Sequence, residues 1–255
     1  MTETNSVIRN GRLCIDGNRI AALLGPGDTL PDSFTGAIEV DTQGTLYPGL
    51  IDLHNHLTYN HIPLWQLGRA YTNRNVWRMA EPEYGPNVTQ PFKLLAENTD
   101  VDYRRAIVRW AECRNLLGGV TTGQGMSLRG PDGIGSYFKG LMRNVEQPLG
   151  GEGPECRGQT LDFTPKEIES KLVPALAKGL PYFYHLSEGT DADARQRFLD
   201  LNRVNGELAV ASNFIAIHCV ALQATDYDVL RSAAGMVWSP TSNLLLWNNV
   251  RCGGS

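Results

Sequence analysis

The apolar positions of the chain fall first into short blocks and later into longer alternating units. Over residues 7–45 the blocks are brief and separated by turn formers. Asn10-Gly11 and Asp16-Gly17 are hairpin signals, because such turns need residues that accept positive φ. Residues 20–24 and 38–40 read as further strands, with Gly25-Pro26-Gly27-Asp28 as a turn. Residues 1–46 are therefore expected to form a small N-terminal β module.

The texture changes after Pro48-Gly49. Leu50-Ile51-Asp52-Leu53 reads as a short buried strand ending in His54. Residues 58–98 are polar and aromatic, with Pro63, Pro82, Pro86 and Pro91. A structureless loop of that length is uncommon, so short helices covering another surface are expected. Residues 102–117 carry Tyr103, Ile107, Trp110 and Leu117 on one helical side, and Gly118-Gly119 stops the helix. Val120-Thr121-Thr122 reads as a strand, and the Gly-rich residues 150–158 as a loop. Thr164-Pro165-Lys166-Glu167 is a capping box with proline at the first helical position, opening a helix to about residue 178. Residues 181–186, 214–220 and 236–239 are strands. The segments between them, 190–204 (capped at Thr190 or Asp191) and 225–233, are helices. This rhythm implies parallel βα units.

Composition narrows the class. The chain has 255 residues, 42% hydrophobic and 20% charged, enough for one α/β barrel or two smaller domains. A net charge of −4 without a basic block argues against nucleic-acid binding. The first six residues lack a signal-peptide pattern. The longest apolar region, residues 208–222, is broken by Ser212, Asn213 and His218, so no membrane partner is expected. Cys14, Cys113, Cys156, Cys219 and Cys252 are odd in number and form no CxxC pair. They read as reduced thiols of a cytoplasmic protein.

The histidines carry the chemistry. His54 and His56 form an H-x-H pair at the end of the first barrel-type strand, where alternate residues share a face. His185 ends the strand over 181–186, and His218 sits near the end of 214–220. In an α/β barrel the C-terminal strand ends open onto one active-site face, so three strands deliver imidazoles to one mouth. Glu188 lies just past His185, where a carboxylate can take a proton from a metal-activated water and return it to a leaving nitrogen.

The run Tyr47-Pro48-Gly49-Leu50-Ile51-Asp52-Leu53-His54-Asn55-His56-Leu57 resembles the P-G-x-I-D-x-H-x-H signature of the amidohydrolase superfamily. Gly119-Val120-Thr121-Thr122, His185-Leu186-Ser187-Glu188, Ile217-His218-Cys219 and Ser239-Pro240-Thr241-Ser242-Asn243-Leu244 are similar to that family's later motifs, in its order. The set is most similar to the mononuclear branch with cytosine deaminase, guanine deaminase and the triazine hydrolases. The resemblance implies a TIM-like (β/α)8 barrel over residues 47–247, with the N-terminal module as half of a composite β-sandwich. It implies that His54, His56 and His185 hold one divalent metal ion, zinc or iron. Glu188 would shuttle protons, and His218 would polarise the attacked carbon's substituent or steady the water. Ser239, Asn243 and His61 are candidate substrate contacts; the alternative is a simple turn after the strand for the first two and ordinary packing of the long connection for His61.

The family's final motif, an aspartate at the end of the eighth strand, does not occur, and residues 248–255 do not resemble the family. An incomplete barrel lacking its eighth strand is expected, with weak metal binding and slow turnover. The implied activity is hydrolysis of a C–N or C–Cl bond in a small cyclic or heteroaromatic substrate. A cyclic-amide hydrolase of the imidazolonepropionase type and a non-catalytic truncated remnant are the alternatives. Relatives often self-associate, so a homo-oligomer is compatible with the sequence.

Overall fold

The computed structural model describes residues 7–96, 98, 103–125, 137, 140–147 and 154–247. The expected loop over 150–158 lies partly, and the tail over 248–255 wholly, outside the described residues. Compactness divides the chain into two units, Met1–Tyr47 and Pro48–Ser255.

In the first unit, β1 (Arg12–Asp16) and β2 (Arg19–Leu24) pair antiparallel. Asp16-Gly17 is the hairpin turn, with Gly17 at φ 58. Asn10-Gly11 is not a hairpin turn; Asn10 takes φ 51 in a turn leading into β1. Residues 38–40 form no strand, and Ile38 is 95% exposed. An extended segment without a ladder partner has nothing to hold it as a strand. The described residues of this unit thus contain one hairpin and no two-sheet sandwich.

The second unit is mixed α/β with parallel sheets. One sheet joins β3 (Leu50–Asp52), β4 (Val120–Gly123) and β5 (Arg143–Asn144). The other joins β6 (Arg157–Gln159), β7 (Tyr182–Leu186), β8 (Phe214–His218) and β9 (Gly235–Val237). They are stitched where the amides of Glu155 and Cys156 donate to Val145 O at 2.9 and 3.1 Å.

Side chains of β7 and β8 are buried on both faces, as in covered parallel sheets. Tyr182, Tyr184, Leu186, Phe214 and Ala216 pack with Ile168, Leu172 and Phe198, whereas Phe183 and Ile217 turn the other way, onto Cys156. The outermost strands are less covered: Leu50 is 61% and Ile51 63% exposed on β3.

Within residues 58–98 lie α1 (Arg74–Ala80) and α2 (Gln90–Ala96). Asn73 caps α1, its side chain accepting from the amides of Asn75 and Val76. Next, α3 (Arg104–Leu117) stops at Gly118-Gly119, with Gly119 at φ 81. The Thr164 capping box forms and opens α4 (Pro165–Glu167), then a π-helical turn (Ile168–Leu172), then α5 (Val173–Leu176). A second π turn (Gly85–Thr89) precedes α2. In both cases a proline follows within two residues, Pro174 and Pro91. Its missing N–H and its ring disturb the i→i−4 ladder, and wider π bonding accommodates the disturbance.

Asp191 caps α6 (Ala192–Leu199), which is shorter than the expected 190–204. After α7 (Ala224–Val229) comes α8 (Pro240–Trp247), a helix where substrate contacts or a simple turn were the expected alternatives. Among the described residues no helix is long and apolar enough to cross a membrane.

Candidate metal centre

Imidazoles from three strand ends converge. β3 and β7 belong to separate sheets. Yet the ring centroids of His54 and His185 are 4.6 Å apart, and those of His54 and His218 5.1 Å. The C-terminal ends of the two sheets therefore face one another.

The H-x-H pair reaches this point by a route different from the one its spacing suggested. The strand stops at Asp52, so His54 and His56 do not share a strand face. Instead Asp52 folds the chain back: its carboxylate accepts from His54 N at 3.2 Å and from Asn55 Nδ2 at 2.9 Å. Gly125, at φ 90, presses on this turn so closely that a Cβ would lie 2.1 Å from Asn55 O. The two rings end edge-on, centroids 5.0 Å apart.

His185 shares the inward side of β7 with Phe183. Its Nδ1 lies 2.9 Å from Gln159 O. A carbonyl can only accept, so Nδ1 carries the proton and Nε2 presents a lone pair. That Nε2 lies 3.4 Å from His56 Nε2. Two nitrogens bound at about 2.0–2.1 Å to one tetrahedral zinc stand about 3.3–3.4 Å apart, so this separation suits a pair of ligands. His54, His185 and His218 also have ligand atoms within 4.8 Å of one another.

Simple alternation would send His218 outward with Phe214 and Ala216. His218 and Cys219 take φ 72 and 54, breaking the strand's alternation where the imidazole turns to the centre. Left-handed backbone at non-glycine residues costs on the order of 1–3 kcal/mol each and gathers at functional sites.

Burial is the main reason the rings of His54, His56 and His185 resist protonation. It lowers His54 from 6.5 to about 2, with His56, His218 and Arg74 adding repulsion. His56 falls to about 4, again mainly by burial, against the pull of Glu188. His185 lies well below the ordinary imidazole range for the same cause, with His54 next. Neutral imidazoles offer lone pairs, and His54 Nδ1 is buried without a hydrogen-bond partner. Both observations fit a divalent ion held by imidazole nitrogens.

The same shifts have a thermodynamic consequence. The unfolded chain binds protons at these histidines below about pH 6.5 while the folded chain does not, so stability rises with pH across that window. Metal-free protein should lose a few kcal/mol between about pH 6.5 and 4. Urea midpoints measured across that range check this; a flat profile contradicts it.

Glu188 stands beside the imidazoles. Its Oε1 is 3.7 Å from His218 Nε2, and its Oε2 is 3.4 Å from a guanidinium nitrogen of Arg74. Arg74 is buried, also donates to Thr160 O, and its amide donates to Glu188 O at 3.1 Å. Sequence reading missed this arginine, because nothing in residues 58–98 marks it and the contact spans a long sequence separation. Gly189, at φ 153, lets the segment Thr72-Asn73 approach closely: a Cβ there would lie 2.4 Å from Thr72 O.

A cavity of about 290 Å³ opens beside Glu188, lined among others by Asn73, Arg74, Val76, Asp162 and Arg197. Its size is at the lower end of small-molecule pockets, about 300–1,000 Å³. Burial raises the Asp162 carboxyl within it.

His61 packs against Phe92 at 6.1 Å, and Phe92 stacks on Tyr59, which lies edge-on to His56 at 6.4 Å. Ser239 sits at the entry to α8, where its hydroxyl accepts from Ser242 and its carbonyl from the Asn243 amide. This is the turn-type role weighed against a substrate contact. Asn243 is buried and touches the His218 ring.

No family model matches the chain, and no curated protein does. One solved structure that matches is an adenosine deaminase from Xanthomonas campestris with bound zinc. It is 15% identical, over 78% of this chain and 51% of that one, with a TM-score of 0.44. The chain thus spans about half the length of that structure.

Proposed function

We propose that this chain is a metal-dependent amidohydrolase built on a barrel-type α/β fold. Its reaction is hydrolysis of a C–N or C–Cl bond in a small cyclic or heteroaromatic molecule. One observation carries the reading: inward imidazoles from distant segments, with the His56 and His185 nitrogens 3.4 Å apart, meet beside a carboxylate that reaches His218 at 3.7 Å. Such a constellation suits hydrolysis better than structure, since a purely structural ion is normally enclosed by four ligands.

His54, His56 and His185 would hold the ion, zinc or iron. When bound, such an ion supplies Lewis acidity and brings the pKa of a water to about 7. Glu188 takes a proton from the attacking water and delivers it to the leaving nitrogen. Arg74 steadies the Glu188 carboxylate from the side away from His218. His218 holds the substituent on the attacked carbon. The cavity beside Glu188 takes the rest of a small ring, its guanidinium and carboxyl groups offering both donors and acceptors.

The test is ion-dependent ammonia or chloride release. Chain stripped with chelator and chain reloaded with zinc or iron are compared on aminated and chlorinated nitrogen heterocycles, and ring opening is followed on cyclic amides. Release or opening is expected to disappear on stripping and to return on loading. Metal uptake at these histidines without turnover of any substrate would point to a non-catalytic remnant.

A further inference from the structure

Resting on that reading, we propose that Asn243 is a positioning residue that fixes the His218 tautomer, so that His218 faces the centre as a hydrogen-bond donor and is not a metal ligand. An indole N–H can only donate, and Trp238 Nε1 lies 2.7 Å from one terminal atom of the Asn243 amide. That atom is therefore the oxygen. The other terminal atom lies 3.2 Å from Ser239 O, which can only accept, and 3.0 Å from His218 Nδ1. It is therefore the nitrogen, donating to both. The opposite orientation sets the amide NH2 against the indole N–H, and its oxygen against the Ser239 carbonyl. Both contacts are then like-to-like at a side chain that is 1% exposed.

The consequence passes through the ring. A His218 Nδ1 that accepts from Asn243 has no proton, so in the neutral imidazole the proton sits on Nε2. Nε2 is the atom turned toward Glu188 Oε1, 3.7 Å away. An Nε2–H has no lone pair for an ion. Distance alone admits His218 to the metal set together with His54 and His185. Hydrogen bonding removes it and leaves His54 and His185 of that group, which His56 joins through its Nε2, 3.4 Å from His185 Nε2. His185 is the mirror case: Gln159 O accepts from its Nδ1, so its Nε2 is free to bind. Two buried histidines on neighbouring strands are thus set to opposite tautomers by their outer partners, one a pure acceptor and one a donor. Trp238 and Ser239 hold the switch in place, which gives the Ser239-Pro240-Thr241-Ser242-Asn243 segment a function beyond starting α8.

The test reads the tautomer directly. Imidazole 15N shifts and one-bond couplings are recorded on the metal-free full chain at about pH 8, above the ordinary imidazole value of about 6.5. The wild type is expected to carry the His218 proton on Nε2. Asn243→Asp replaces the donor with an acceptor and should move the proton to Nδ1. In that variant hydrolysis should fall about 10- to 100-fold. Trp238→Phe, a milder change, frees the amide to rotate and should give a mixture of tautomers. A wild-type Nδ1 proton, or an Asn243→Asp chain with the proton still on Nε2, overturns the proposal. The measurement needs no ion, so it stands apart from the metal-binding reading, which fails separately if wild-type chain takes up no zinc.

Discussion

Replacing His54 and His185 together by alanine abolishes stoichiometric zinc binding. Both rings are held in the metal-accepting state by burial, and His185 also by the Gln159 carbonyl. Removing them leaves His56 as the sole member of the proposed ligand set, and one imidazole does not retain an ion against solvent water. Loss of a single outer partner of a ligand already costs about 10–100-fold in affinity, so loss of two ligands should exceed that. Competition against a chromogenic chelator, with metal content measured on dialysed protein, reads the change. The double variant also removes two poorly hydrated rings from a crowded pocket, so metal-free stability below about pH 6.5 should suffer less than in the parent. Unchanged zinc content would mean that the ion, if any, binds elsewhere.

Glu188→Gln leaves the ion and removes the reaction. The glutamine keeps the shape of the side chain and can still meet Arg74, but it cannot take a proton and pass it on. A positioned general base and acid contributes about 10²–10⁴-fold, so turnover should fall by that factor while zinc content stays within error of the parent. A larger side effect on folding is not expected, because Glu188 is anchored through its backbone: Arg74 N donates to its carbonyl, and Asn73 bridges to Gly189. Steady-state rates on the best substrate of the heterocycle screen, together with metal analysis, separate the two effects. Retained turnover would remove Glu188 from the mechanism.

How far the sequence foretold this centre depends on which interactions are local. The Thr164 capping box, the Asp16-Gly17 hairpin and the glycine stop of α3 rest on contacts within a few residues, and each forms where the pattern placed it. The buried runs of β7 and β8 were readable because parallel strands covered on both faces are apolar almost throughout. Residues 38–40 look equally strand-like, but a strand exists only with a partner, and partner choice is non-local.

The four histidines stood out by their positions at strand ends, although two of the local reasons were different. His56 arrives through a turn tied by Asp52, and His218 through two left-handed residues that break the strand's alternation. Backbone strain of that kind leaves no trace in hydrophobic periodicity. Arg74 and Trp238 were invisible for another reason. Each acts through one partner brought near by folding, Glu188 for the first and Asn243 for the second. Neither residue type nor spacing announces such a contact.

The most direct test of the central claim is X-ray absorption at the metal edge of zinc-loaded chain. Imidazoles from separate strands surrounding one ion predict one zinc per chain and about three nitrogen scatterers at about 2.0–2.1 Å, with the multiple-scattering pattern of histidine rings. A shell of sulfur, or of oxygen with no imidazole signature, would contradict it.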